Sequence, residues 1–187
     1  MVPARDIRWA RVESGRPRRE VADALLLGLL RERGMAHPRL TRVCAHCGGA
    51  HGAVRATEGG MPAACAVAVT YAGGWAIAAA APAPGPFAID AEPCRLQASA
   101  RDRIRVALGD ARADAATWTR VEAALKADGR GLRVDPAEVR LAAVGGGWAA
   151  RVPGRVEPLF VSGAAGPPGI VLSVAAGWAA ASDRSTR

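Results

Sequence analysis

Apolar positions change their period several times along this chain, and each change marks an element. From Ser14-Gly15-Arg16-Pro17 a helix opens with a proline in its first turn, and Gly34 closes it just after Arg31 and Arg33. Val21, Ala24, Leu25, Gly28 and Leu29 give that helix an apolar face at helical spacing. Cys44 to Gly52 carries Cys, His and Gly without any period and reads as loop. Ala66-Val-Ala-Val-Thr-Tyr-Ala-Gly-Gly-Trp-Ala-Ile-Ala alternates about a Gly-Gly pair, the pattern of a hairpin. Pro82, Pro84 and Pro86 interrupt the chain, and Phe87-Ala88-Ile89 resumes as a strand. The hairpin core recurs as Gly145-Gly-Gly-Trp-Ala within Val139 to Val152, and more weakly as Ala176-Gly-Trp-Ala. Two strand–Gly–Trp–strand units, each preceded by a helix, predict an α+β fold of two similar halves. The Pro-rich stretch is the seam, giving subdomains 1–86 and 87–187. The tail from Ser182 to Arg187 is expected to be disordered.

Half of the 187 residues are apolar, mostly Ala and Val, so the core is expected to be built from small side chains with a few Leu and Trp anchors. A formal charge of +8 favours an acidic partner. Two Phe and one Tyr leave little aromatic interleaving, and the Arg residues are scattered, which argues against a nucleic-acid platform. Residues 1–10 mix Arg5, Asp6 and Arg8 with apolar positions and do not read as a secretory signal. Gly59 to Ile89 carries no charge, but Gly73-Gly74 and three prolines break it. A buried strand pair accounts for it better than a membrane span.

Two short acidic clusters carry the chemistry. Asp90 and Glu92 are two apart on a strand and so share a face. Pro93 keeps Glu92 extended. Trp118, Glu122 and Lys126 are four apart, so a helix stacks them on one ridge. If that helix packs over the strand end, three carboxylates and one ammonium converge, a set that suits a hard cation such as Mg2+. Plainer readings exist for each residue. Thr119-Arg-Val-Glu122 fits a capping box with Trp118 as its staple, and Glu122–Lys126 fits an exposed helical pair. Asp90 and Glu92 fit ordinary polar residues at a strand end, and Trp118 fits core packing. Cys44, His46, Cys47, His51 and Cys65 invite a zinc reading. Cys-x-x-Cys lacks a second paired knuckle here, so the favoured reading is a glycine-rich loop with reduced thiols.

Phe-Ala-Ile-Asp90-Ala-Glu92 and Trp118-Thr-Arg-Val-Glu122-Ala-Ala-Leu-Lys126 together resemble the signature of the 4′-phosphopantetheinyl transferase superfamily, of the surfactin-synthetase-activating type. The family motifs run Gly-Ile-Asp-x-Glu and Trp-x-x-Lys-Glu-Ala-x-x-Lys. Cys44-Ala-His-Cys-Gly-Gly-Ala-His-Gly52 is similar to a run common in actinobacterial members. The resemblance spans about Arg16 to Leu132. It implies two pseudo-symmetric α+β subdomains with the active site at their interface. It also implies Mg2+-dependent transfer of 4′-phosphopantetheine from coenzyme A to a serine of an acyl or peptidyl carrier protein, releasing 3′,5′-ADP. Asp90, Glu92 and Glu122 would face the metal. Glu122 would also accept the serine proton, and Lys126 would steady the departing phosphate.

The chain departs from the family where phosphates are gripped. The usual Ser-x-Ser-His reads Ala68-Val69-Thr70-Tyr71, so Thr70 and Tyr71 stand in its phosphate-facing places. Gly-Lys-Pro reads Gly52-Ala53-Val54 and loses its lysine; the lysine before the motif glutamate is Val121. An arginine that often follows Ala-Leu-Leu is Leu27. Arg16, Arg18 and Arg19 offer replacement charge, with Arg19 best placed. The expectation is a cytoplasmic, monomeric transferase of secondary or fatty-acid metabolism. Its alternative is a diverged relative that binds a carrier protein or coenzyme A without transfer.

Overall fold

Gly73 and Gly74 take φ values of +54° and +79° in the computed structural model, which describes residues 6–44 and 47–178. Two positive φ values in a two-residue loop make the primed turn that matches strand twist. His46 and the 182–187 tail lie outside the described residues. Among the described residues the chain forms eleven strands and three α-helices, a mixed α/β protein in three antiparallel sheets. It separates into two compact units, one covering 3–85 and the other running from Pro86 onward.

The first unit contains β1 (Ile7–Arg11), α1 (Arg18–Glu32), β2 (Arg39–Arg42), β3 (Val54–Glu58), β4 (Met61–Pro62), β5 (Val67–Ala72) and β6 (Trp75–Ala80). One sheet has the order β1-β6-β5, and β2-β3-β4 make a smaller one. Ala76, Ala78 and Ala80 share a face of β6 and bring α1 close: Val21 and Ala22 pack by Ala76, while Leu26, Leu29 and Leu30 pack with Ala78 and Ala80. The buried face of α1 is thus Val21, Ala22, Leu26, Leu29 and Leu30, turned from the expected one, and Ala24 is exposed. The run Leu25-Leu26-Leu27-Gly28-Leu29-Leu30 is apolar in every direction and does not fix the helix phase. An alanine-lined sheet accepts the bulky Leu26 and Leu30 in preference to Ala24 and Gly28.

The second unit contains β7 (Phe87–Pro93), α2 (Ala98–Leu108), α3 (Ala115–Asp128), β8 (Arg140–Val144), β9 (Gly147–Arg151), β10 (Leu159–Ala164) and β11 (Ile170–Gly177). Its sheet has the order β7-β11-β10-β9-β8. The uncharged 59–89 stretch is strand and turn, and among the described residues no helix is long and apolar enough to cross a membrane. In both units the opening strand lies antiparallel to the closing one. By that topology β5–β6 corresponds to β10–β11, whereas the second Gly-Gly-Trp falls in β8–β9 at the far end of its sheet. In the third recurrence Gly177 ends β11 and donates to the Pro86 carbonyl at 3.0 Å, while Ala179 lies outside the described residues.

α3 begins earlier than its sequence suggests. Asp114 is the cap, its carboxylate accepting from the Thr117 N–H at 2.7 Å, so Thr119 lies inside the helix and the capping-box reading of Thr119–Glu122 is overturned. Thr119 is buried and its hydroxyl bonds Ser173 of β11 at 2.9 Å. Ser173 is the cross-strand partner of Asp90, so this contact seats α3 on the face that carries Asp90 and Glu92. Thr119→Val is expected to cost about 1–3 kcal/mol by stranding the Ser173 hydroxyl. Combining it with Ser173→Ala should cost less than the two single changes summed. Urea midpoints for the four proteins measure this coupling, and strict additivity would show that the bond does not anchor the helix.

Candidate functional site

Both acidic clusters lie in the second unit, and the helix over the strand brings them together. Val121, Ala124 and Leu125 pack with Val161, Ala150 and Ala175 and hold α3 to the sheet. The ridge of α3 meets β7 in order. Trp118 lies beside Glu92, where its indole N–H favours the ionised carboxylate. Lys126 Nζ lies 2.5 Å from Asp90 Oδ1. Glu122 falls between them along the helix and feels the charge of Lys126, Asp90 and Glu92. Asp90 is 5% exposed and Glu122 8%, while Lys126 keeps its ammonium end partly in water.

Three plain readings of these residues do not hold. Glu122 is neither a cap nor half of an exposed pair, because it is buried mid-helix and the ion pair of Lys126 is with Asp90. Trp118 is half-buried, and its polar edge is engaged with Glu92 rather than lost in the core. Nothing in the residue pattern separates a packing Trp from a hydrogen-bonding one; only its register with Glu92 does. The carboxylates are close enough to shift one another, but their oxygens are not drawn within 4.8 Å of each other as a trio. Mg2+ takes only one or two protein carboxylates and keeps several waters, so the oxygen donors here fit such an ion without a closed cage.

Burial raises the Glu122 carboxyl above the ordinary carboxylate range; the Lys126 charge opposes this, and Asp90 and Glu92 add to it. Glu92 is raised for the same first reason, then by Asp90, against Lys126 and the Trp118 hydrogen bond.

Arg19, Thr70 and Tyr71 lie in the first unit. Thr70 is buried in β5. Tyr71 lies beneath Arg18, whose guanidinium carbon is 4.7 Å from the ring centroid. These two line a cleft of about 220 Å³ with Val12, Gly74 and Trp75. Arg19 is engaged elsewhere: it donates to the Ala50 carbonyl at 3.1 Å and lies 3.9 Å from Asp23. Arg18, ranked behind Arg19 from sequence, is therefore the cation on the Tyr71 cleft. The loop from Val43 to Ala53 also brings together Cys44, Cys47 and His51, whose ligand atoms all lie within 4.8 Å of one another.

A carboxyl with a raised folded value favours the folded state below its unfolded value, and that contribution is lost as pH rises through the folded value. At neutral pH the Glu122 charge therefore opposes folding. Glu122→Gln is expected to melt higher than the parent at pH 7, and its advantage should shrink as pH falls into the ordinary carboxylate range. Thermal melts across that range test the sign, and a Glu122→Gln protein that melts lower at pH 7 would show that its charge is stabilising.

No protein-family model matches the chain, and no curated protein matches it.

Proposed function

We propose that this chain is a Mg2+-dependent 4′-phosphopantetheinyl transferase, which moves phosphopantetheine from coenzyme A to a serine of an acyl or peptidyl carrier protein in the cytoplasm. One observation carries the reading: Trp118, Glu122 and Lys126 on one helix ridge face Glu92 and Asp90 on one strand face. A scaffold gains nothing from burying Asp90 and Glu122 with a half-buried Glu92 beside them, since each raises the cost of ionising the next. Such clusters mark functional sites. The two halves read as the pseudo-symmetric subdomains that the family resemblance implies, each opening on a strand that pairs with its last.

Asp90, Glu92 and Glu122 would face the ion, one or two of them directly and the rest through its waters, and the ion when bound would supply positive charge against a pyrophosphate. In the transfer, the serine oxygen bonds to the β-phosphorus of coenzyme A, the pyrophosphate P–O bond breaks, and 3′,5′-ADP departs with the bridging oxygen. Glu122 takes the serine proton, directly or through water. Its raised carboxyl is a better base at neutral pH than an ordinary glutamate. Lys126 keeps an ammonium beside Asp90, and it would steady the departing phosphate. Most of the catalysis assigned here is positioning and electrostatics. The acidic helices of a carrier protein suit a chain of +8 charge. α2 adds a local match, with exposed Arg101 and Arg103 beside Val106, which is 82% exposed.

A second reading, a relative that binds carrier or coenzyme A without transfer, draws on the Lys126–Asp90 pair, which already satisfies one metal-facing oxygen. Incubation with Mg2+, coenzyme A and a panel of apo carrier proteins, read by intact mass, separates the two. The transferase reading expects a phosphopantetheine adduct whose formation falls roughly 10²–10³-fold in Glu122→Gln and Asp90→Asn. Binding of coenzyme A with no adduct on any carrier would favour the second reading.

The thinned phosphate grip gives a further expectation. With Tyr71 and Ala53 where the family has histidine and lysine, one or two charge-assisted hydrogen bonds of about 1.5–3 kcal/mol each are missing. Calorimetry in Mg2+ should show poor discrimination between coenzyme A and dephospho-coenzyme A. A strong preference for coenzyme A that disappears in Arg18→Ala would assign the lost grip to that arginine instead.

A further inference from the structure

The connection between β2 and β3 is built around three side chains. Cys44 follows the end of β2, Cys47 comes three residues later, and His51 sits three residues before β3. Their ligand atoms lie within 4.8 Å of one another, and Cys47 Sγ is 3.0 Å from His51 Nε2. The backbone folds around them. Gly48 N–H donates to the Cys44 carbonyl at 2.8 Å, and Cys44 N–H donates to the Gly49 carbonyl at 2.8 Å. Gly48, directly after Cys47, has φ of +71°, a left-handed turn that an ordinary residue resists.

At two further glycines space is short, tight at Gly49 and closed at Gly52. A Cβ on Gly49 would lie 3.1 Å from the His51 ring and 3.3 Å from Cys47 Sγ. One on Gly52 would lie 2.2 Å from the Val43 carbonyl oxygen. The loop is thus shaped to present two sulfurs and one imidazole to a common point.

We propose that Cys44, Cys47 and His51 bind a Zn2+ ion. Sulfur and imidazole nitrogen are the donors this borderline-soft ion prefers, and it binds them in tetrahedral geometry. Bond lengths of about 2.0–2.3 Å place neighbouring ligands of such a site roughly 3.3–3.8 Å apart, so atoms already within 4.8 Å need only small side-chain rotations. No fourth side chain joins the three among the described residues, and the remaining position takes water or another small ligand. Binding releases the two thiol protons, so affinity rises with pH. The ion clips an eleven-residue connection whose Ala50 carbonyl holds Arg19 of α1, and so fixes the loop against that helix. None of this depends on the transferase reading.

The test uses the full-length, tag-free, reduced protein, with Zn2+ and Co2+ as probes. Elemental mass spectrometry should find one zinc per chain, removable by chelator and restored by added Zn2+. Co2+ should give the visible bands of a tetrahedral ion and thiolate charge transfer, both displaced by Zn2+, and either metal should raise the melting temperature. Cys47→Ser and His51→Ala should each weaken Zn2+ by about a hundredfold or more, since even outer-shell changes cost 10–100-fold. Gly49→Ala keeps every ligand but crowds two of them, and should weaken binding while Cys94→Ser leaves it unchanged. The proposal is overturned if the zinc survives Cys47→Ser, if Co2+ shows no thiolate bands, or if reduced protein with excess Zn2+ retains no zinc after desalting.

Discussion

A carboxylate withdrawn from water must find a cation or a hydrogen-bond donor, or it takes up a proton. Asp90 is withdrawn by β11 beside it and by the helix above, and Lys126 reaches it from that helix at 2.5 Å. This pair sets the register of α3 on β7. With Lys126 over Asp90, helix geometry puts Glu122 one turn back and Trp118 two turns back, where Glu92 waits. Thr119 on the neighbouring turn then meets Ser173 across from Asp90. Sliding the helix by one turn would break all three contacts at once, and this is what makes the arrangement specific although no single contact is worth much.

Small side chains make that closeness attainable. Ala123 and Ala124 on α3 and Ala88 and Ala175 on the strands are all buried, and none of them holds the helix away from the sheet. The first unit uses the same device, with Ala76, Ala78 and Ala80 of β6 beneath α1. A core of this kind gains less from each buried residue than one of Leu and Phe. Into it the second unit places two carboxyls with raised values, Glu92 and Glu122, which carry charge at the expense of stability. Retaining that cost at one place on one face is the behaviour of a site rather than of packing.

The parts of this arrangement set by short-range geometry were legible in the residues. A period of two put Asp90 and Glu92 on one face, a spacing of four stacked Trp118, Glu122 and Lys126, and Gly73-Gly74 announced its turn. What failed depended on contacts between distant residues. Thr119 imitates a cap, and only Asp114 bonding Thr117 shows where α3 starts. Leucines on all sides of α1 hide its phase until a sheet chooses one. Gly-Gly-Trp recurs on strands that hold different places in their sheets, because two hairpins can share turn chemistry without sharing topology. Arg18 and Arg19 are adjacent in sequence yet point to different neighbours, one to Tyr71 and the other to Ala50.

The thiol loop reads differently along the chain and in space for a related reason. Counting ligands along the chain asks for two paired knuckles, whereas the fold asks only which donor atoms end up near each other. Gly52, which no side chain can replace, and Gly49, where one would crowd two ligands, flank the point at which Cys44, Cys47 and His51 meet. The chain then presents two donor sets of opposite character: carboxylate oxygens on α3 and β7, and sulfur with imidazole between β2 and β3. Hard ions keep their water unless oxygen donors replace it, and softer ions bind thiolates in preference to carboxylates. Ligand chemistry alone therefore sorts the ions between the two places, and a chelator that strips the soft site leaves the oxygen site chemically intact.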